Sequence, residues 1–92
     1  MPKERIFIVE DESIVALDIA NSLESLGYIV AGKTDRGETA IQIVEEIQPD
    51  LVLMDIRLKG QMNGIQAAEH IYTHFDIPIV FLSAHSDTLT LQ

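Results

Sequence analysis

At 92 residues the chain makes at most one domain, long enough for a core but near the small end of what buries surface efficiently, and its 47% hydrophobic content excludes a disordered tail. Fifteen acidic residues against six basic ones give a formal net charge of -9, which opposes contact with phosphodiester backbones and anionic lipid, so neither direct nucleic-acid binding nor membrane-surface binding is expected. There is no cysteine, which excludes a disulfide framework and a thiolate metal site.

Met1-Pro2-Lys3-Glu4-Arg5 leads into the short apolar run Ile6 to Val9, too brief for a signal-peptide core or a membrane span, so a cytoplasmic protein is expected. The run has β-branched and aromatic members, as in a strand covered on both faces, and it closes in Glu10-Asp11-Glu12. From Ser13 the spacing changes to three and four: Ile14, Leu17, Ala20 or Asn21, Leu23 or Glu24, and Leu26 or Gly27. This predicts an amphipathic helix opened by Asp11 or Ser13 and stopped by Gly27. Tyr28 to Ala31 reads as a second strand, shorter and less apolar and hence at an edge. After Gly32, Ala40, Ile41, Val44 and Ile47 mark a helix over 35–47, ended by Gln48-Pro49-Asp50.

Leu51 to Asp55 is the third strand. A polar loop from Arg57 to Gly64 follows, with Asn63 placed to cap a helix whose stripe is Ile65, Ala68, Ile71 and Phe75. Asp76-Ile77-Pro78 ends it, Ile79 to Leu82 is the fourth strand before Ser83-Ala84-His85, and Asp87 to Gln92 reads as the start of another helix. The alternation predicts an α/β fold with a mostly parallel sheet and helices on both faces, with no internal repeat or linker.

In such sheets, ligands bind outside the carboxyl ends of the strands. That rule selects Glu10 and Asp11, Lys33 and Thr34, Asp55 to Arg57, and Ser83 to His85. If the first and third runs are buried parallel strands, their acidic ends meet at one sheet edge. Carboxylates crowded there repel each other and resist ionisation, so a divalent cation or a proton is needed to make the cluster tolerable.

Four motifs in order carry a resemblance: the acidic pair after Ile6-Phe7-Ile8-Val9, the aspartate closing Leu51-Val52-Leu53-Met54-Asp55, the loop Gly60-Gln61-Met62-Asn63-Gly64, and Ser83-Ala84 after the fourth strand. Together they resemble the receiver domain of two-component response regulators, over essentially the whole chain. The resemblance implies a flavodoxin-like doubly wound sheet of order 2-1-3-4-5 and a phosphorelay role, not an enzyme in its own right. Asp55 would accept a phosphoryl group from the phosphohistidine of a sensor histidine kinase. Mg²⁺ would be held by Asp11, Asp55 and the backbone carbonyl of Arg57, with Glu10 acting mainly through water. Ser83 would hydrogen-bond the new phosphoryl group, and its movement would start a conformational switch controlling an output domain or a downstream protein.

The family also has a fifth strand and helix, and a lysine after that strand which pairs with the phosphoryl group. This sequence stops at Gln92, before either could occur, and Lys3, Lys33 and Lys59 do not match that position. The expectation is therefore a C-terminally incomplete receiver domain over 1–92, in sheet order 2-1-3-4. Ile79 to Leu82 would then be an unprotected apolar edge, prone to homo-oligomer formation by strand exchange.

Other polar residues have plainer readings. Glu12 belongs to the solvated start of the first helix, Lys33 and Thr34 end a strand, and His85 is a solvated loop residue. His70 and His74 lie on the polar side of the third helix with no partner at metal spacing. Arg57 and Lys59 either steer an anionic donor or are ordinary loop charges. A haloacid-dehalogenase-type phosphohydrolase would want a second aspartate two positions after its nucleophile, where this chain has Arg57. A flavodoxin-like nucleotide binder would want a phosphate loop where Glu10-Asp11-Glu12 stands. The remaining competitor is a receiver-like interaction module that is not phosphorylated.

Overall fold

The computed structural model describes residues 4–82. Four strands, β1 (Arg5–Val9), β2 (Ile29–Thr34), β3 (Leu51–Asp55) and β4 (Ile79–Leu82), alternate with helices α1 (Ser13–Ser25), α2 (Gly37–Ile47) and α3 (Gly64–Phe75). All pairings are parallel and the sheet order is β2-β1-β3-β4, as expected from the alternation and from the resemblance.

Helices cover both faces of β1 and, among the described residues, one face of β3, whose Val52 and Met54 are buried and whose Leu51 and Leu53 on the other face are half-buried. On one face Phe7, Val9, Val52 and Met54 join Ala40 and Val44 of α2 and Ala67, Ala68 and Ile71 of α3 in the larger core. On the other, Ile8 meets Ala16 and Ala20 of α1, with Ile19, Leu23 and Val30 around them.

Helix α1 buries only part of the predicted stripe: Ala20 and Leu23 pack toward β1 as expected, joined by Ala16 and Ile19, which the prediction did not include. Ile14 and Leu17 are 81% and 53% exposed, whereas Ala16 and Ala20 are buried. Small side chains let the helix axis approach β1 closely, and that approach selects the alanine face over the bulkier one. The N-cap is Glu12, with no side-chain capping bond, not Asp11 or Ser13. Gly27 does stop the helix. At φ +95° it closes a Schellman turn in which its N–H donates to Glu24 O at 3.0 Å and the Tyr28 N–H donates to Leu23 O at 3.0 Å.

Strand β2 lies at the edge, as predicted, but its six residues make it longer than β1 and carry it through Gly32. The register steps from Ile6 opposite Val30 to Phe7 opposite Gly32, leaving Ala31 as a bulge. Gly32 serves the close approach of the Phe7 ring, whose Cε1 would lie 3.2 Å from an added Cβ.

Helix α2 begins at Gly37, two residues later than predicted, because Arg36 is its extended N-cap. Helix α3 starts where predicted. Asn63 Oδ1 accepts from the Gln66 N–H at 2.9 Å, and Gln66 Oε1 accepts from the Asn63 N–H at 3.0 Å, a reciprocal capping box. Asn63→Ala should cost about 1 kcal/mol, measured by urea denaturation, with an unchanged m-value. The α3 stripe runs through Gly64, Ala67, Ala68 and Ile71, and Ile65 is 54% exposed. Among the described residues β4 forms the other edge, with Val80 and Phe81 about half exposed.

Candidate functional site

Parallel pairing of β1 with β3 carries the strand ends Glu10-Asp11 and Asp55 to one edge of the sheet. Asp55 is fully buried and Glu10 is 2% exposed, while Asp11 is partly buried. One carboxylate oxygen from each of the three lies within 4.8 Å of the others. The backbone supplies little compensation. Glu10 Oε2 accepts from the Glu12 N–H at 3.2 Å, and Asp55 Oδ1 accepts from the Arg57 N–H at 3.3 Å. Glu10 Oε1, Asp11 Oδ1 and Asp55 Oδ2 are buried without a hydrogen-bond partner.

Three orphaned buried acceptors in one small volume are costly, because nothing replaces the water they lose. The cost appears in the Glu10 carboxyl, which is raised to about 7, first by burial and then by the neighbouring carboxyls of Asp55 and Asp11, against the lowering effect of the Glu12 N–H. This oxygen-only donor set suits a small hard cation that keeps some of its waters.

The pH consequence has a definite sign. Glu10 holds its proton more tightly folded than unfolded, so its contribution favours the metal-free fold at acidic pH and is lost as pH rises from about 4.5 through about 7. Metal-free protein should therefore melt at lower temperature at pH 8 than at pH 5.5, by the equivalent of at most about 2 kcal/mol from this group. Mg²⁺ at pH 8 should reverse the loss. Thermal melts with chelator and with Mg²⁺ check this: Glu10→Gln should lose the pH dependence, and a variant that keeps the full wild-type difference between pH 5.5 and pH 8 would remove the explanation.

The other predicted positions are placed as follows. Arg57 is exposed, and its N–H reaches the Asp55 carboxylate. Lys33, Thr34 and Asp35 line a cleft of about 390 Å³ beside Glu10, Asp11 and Ser13. Lys59, also on that cleft, pairs with Asp35 at 3.5 Å. Thr34 contributes its carbonyl, which accepts from the Glu10 N–H at 3.0 Å and ties β2 to the acidic turn. Glu12 is exposed. Ser83, with Ala84 and His85, lies outside the described residues.

His70 and His74 do have partners: each other. Their rings stack with centroids 4.0 Å apart, and His74 Nδ1 bonds His70 O at 2.9 Å. Their spacing of four, one helical turn, was the signal for this.

Two further residues shape the site: Gly64, which closes the loop motif, and Glu38, which no motif marked. Gly64 opens α3 with its Cα against the peptide of Asp55, so that an added Cβ would fall 1.9 Å from Asp55 O. Its N–H donates to Ile56 O at 2.8 Å, closing the base of the loop. Glu38, in the first turn of α2, accepts from the Gln61 N–H at 3.2 Å.

A parallel α/β sheet of this order with a carboxylate triad at its carboxyl edge defines a class. Residues 6–92 match the family model for the response regulator receiver domain. The chain is 38% identical over 82 residues to the transcriptional regulatory protein PdtaR of Mycobacterium tuberculosis, covering 89% of this chain and 40% of that protein. Among solved structures, the signal receiver domain of a modulated diguanylate cyclase from Desulfovibrio desulfuricans superposes with a TM-score of 0.84 at 36% identity, covering 90% of this chain and 67% of that one. The anti-anti-sigma factor PhyR from Bartonella quintana, complexed with the anti-sigma factor NepR, gives 0.79 at 34% identity, covering 86% and 33%. The chain belongs to the response regulator receiver domain family. It spans less than half the length of PdtaR.

Proposed function

We propose that this chain is the phosphoacceptor unit of a two-component phosphorelay, with Asp55 as the residue that takes the phosphoryl group. The observation that carries the reading is Asp55 itself: a fully buried carboxylate at the end of a central strand, with one oxygen unpartnered and two further carboxylates beside it. An Asp55 oxygen attacks the phosphorus of a phosphohistidine, the phosphorus–nitrogen bond breaks, and the imidazole keeps the electron pair and takes up a proton. The Arg57 N–H on Asp55 Oδ1 orients the nucleophile.

Glu10, Asp11, Asp55 and the backbone carbonyl of Arg57 would hold Mg²⁺, Glu10 mainly through water. When bound, the cation offsets repulsion between the carboxylates and the anionic phosphoryl group. Ser83 is assigned the hydrogen bond to the phosphoryl group that starts the switch. The phosphodonor is a sensor histidine kinase and the receiver acts on an output domain or a downstream protein, in the cytoplasm. Family membership supports this setting, and no helix among the described residues is long and apolar enough to cross a membrane.

The competing reading, an interaction module that takes no phosphate, draws on the PhyR–NepR complex, in which a relative engages a protein partner. Beryllofluoride with Mg²⁺, followed by fluorine NMR, separates the two. Phosphoacceptance requires metal-dependent binding that disappears in Asp55→Ala, whereas no binding by the wild-type protein favours the module.

A further inference from the structure

The loop between Asp55 and α3 is strapped on its outer side to the corner between β2 and α2. The Lys59 N–H donates to Asp35 O at 3.2 Å, and Arg36 and Lys59 form an isolated parallel bridge. Two residues on, the Gln61 N–H donates to Glu38 Oε2 at 3.2 Å. Between these points Gly60 adopts φ +93°, and a Cβ there would sit 3.0 Å from Glu38 Oε1 and 3.2 Å from Arg36 Nη1. A side chain at position 60 would therefore both strain the backbone and press on the glutamate. The Glu38 carboxyl is held below its ordinary range by hydrogen bonds from its own N–H and those of Gln61 and Met62, with a smaller contribution from the Arg36 charge.

On the inner side, the same loop bonds Asp55 Oδ1 through the Arg57 N–H and closes at its base from the Gly64 N–H to Ile56 O. The Arg57 peptide is thus suspended between an anchored base and an anchored outer arm. Among the described residues, Glu38 is the side chain from outside the loop that accepts a main-chain hydrogen bond from the outer arm, whereas the Asp35 carboxylate meets that arm through the Lys59 side chain at 3.5 Å.

We propose that Glu38 is a positioning residue for the acidic site, fixing the loop from behind so that the Arg57 main chain stays where the Asp55 carboxylate and a divalent cation need it. This rests on the metal-binding reading given above. Groups that orient a ligand without touching the ion typically change affinity by about 10–100-fold when removed.

The test is Mg²⁺ affinity by amide-resolved NMR titration in the wild type, Glu38→Ala, Glu38→Gln and Gly60→Ala, with Glu46→Ala on the same helix as a control. Glu38→Ala should weaken Mg²⁺ binding by about 10-fold or more and shift the Arg57 amide resonance. Glu38→Gln, which keeps one acceptor oxygen, should fall between it and the wild type. Gly60→Ala should reproduce the loss from the opposite side, and Glu46→Ala should match the wild type.

If Glu38→Ala does not fold, Glu38→Gln and Gly60→Ala decide. Wild-type Mg²⁺ affinity in both, with an unmoved Arg57 amide, overturns the positioning role alone. A wild-type protein that binds no Mg²⁺ overturns the metal-site reading and this role with it.

Discussion

Asp55→Asn is expected to abolish phosphoryl acceptance while making the metal-free protein more stable. An amide is a poor nucleophile toward phosphorus, so the loss of transfer should be complete on the timescale of wild-type labelling. The gain arises because Asp55 is fully buried beside Glu10 and Asp11, with Oδ2 lacking any donor. Replacing one oxygen by an amide nitrogen removes a buried charge and supplies donors to neighbours that lack them, for a gain of about 1–3 kcal/mol. Burial leads the causes that raise Glu10, so its carboxyl stays elevated in the variant, though less than in the wild type. Thermal melts with and without Mg²⁺, beside a labelling assay with a small phosphodonor, read both halves. If Mg²⁺ stabilises variant and wild type equally, the three carboxylates do not share a cation.

Gly64→Ala is expected to damage the fold and the site together. The added Cβ would lie 1.9 Å from Asp55 O and 2.8 Å from Ile56 Cα, so it meets backbone and not a side chain that can swing aside. Relief requires α3 to move off the sheet or Asp55 to leave the cluster. We expect a loss of at least about 3 kcal/mol by urea denaturation, at the upper end of overpacking costs. Gly32→Ala is the internal comparison. There the new atom meets the Phe7 ring at 3.2 Å, a contact that a small ring displacement relieves, and the loss should be nearer about 1 kcal/mol. Equal losses in the two variants would contradict the close approach of α3 to Asp55.

The contrast between these glycines shows what the sequence discloses. Strand order and the meeting of Glu10, Asp11 and Asp55 follow from apolar runs that end in acids, because a parallel sheet must align its carboxyl ends. Gly27 and Asn63 were legible because helix ends leave orphan backbone groups that few residue types satisfy. Ala20 was read correctly, but Ile14 and Leu17 misled because hydropathy rewards size, whereas the spacing between α1 and β1 rewards the small Ala16. Gly32 reads as a breaker, and only the position of Phe7 across the strand pair explains it. Gly64 was marked by its loop motif, but its approach to the Asp55 backbone was not legible, and Glu38 acts through Gln61, 23 residues away, so no local pattern marks it.

The two faces of the sheet do not hold the molecule together equally. Among the described residues, two helices behind β3 share one continuous apolar cluster, whereas α1 is fastened by the buried Ala16 and Ala20 with the half-buried Ile19 and Leu23, has no side-chain N-cap bond and turns Ile14 and Leu17 to water. Among the described residues, local opening is therefore expected first on the α1 side. Asp55 stands on the rigid half of the molecule, and Glu10 and Asp11 form a wall that leads into the looser half, so the acidic triad widens from one side only.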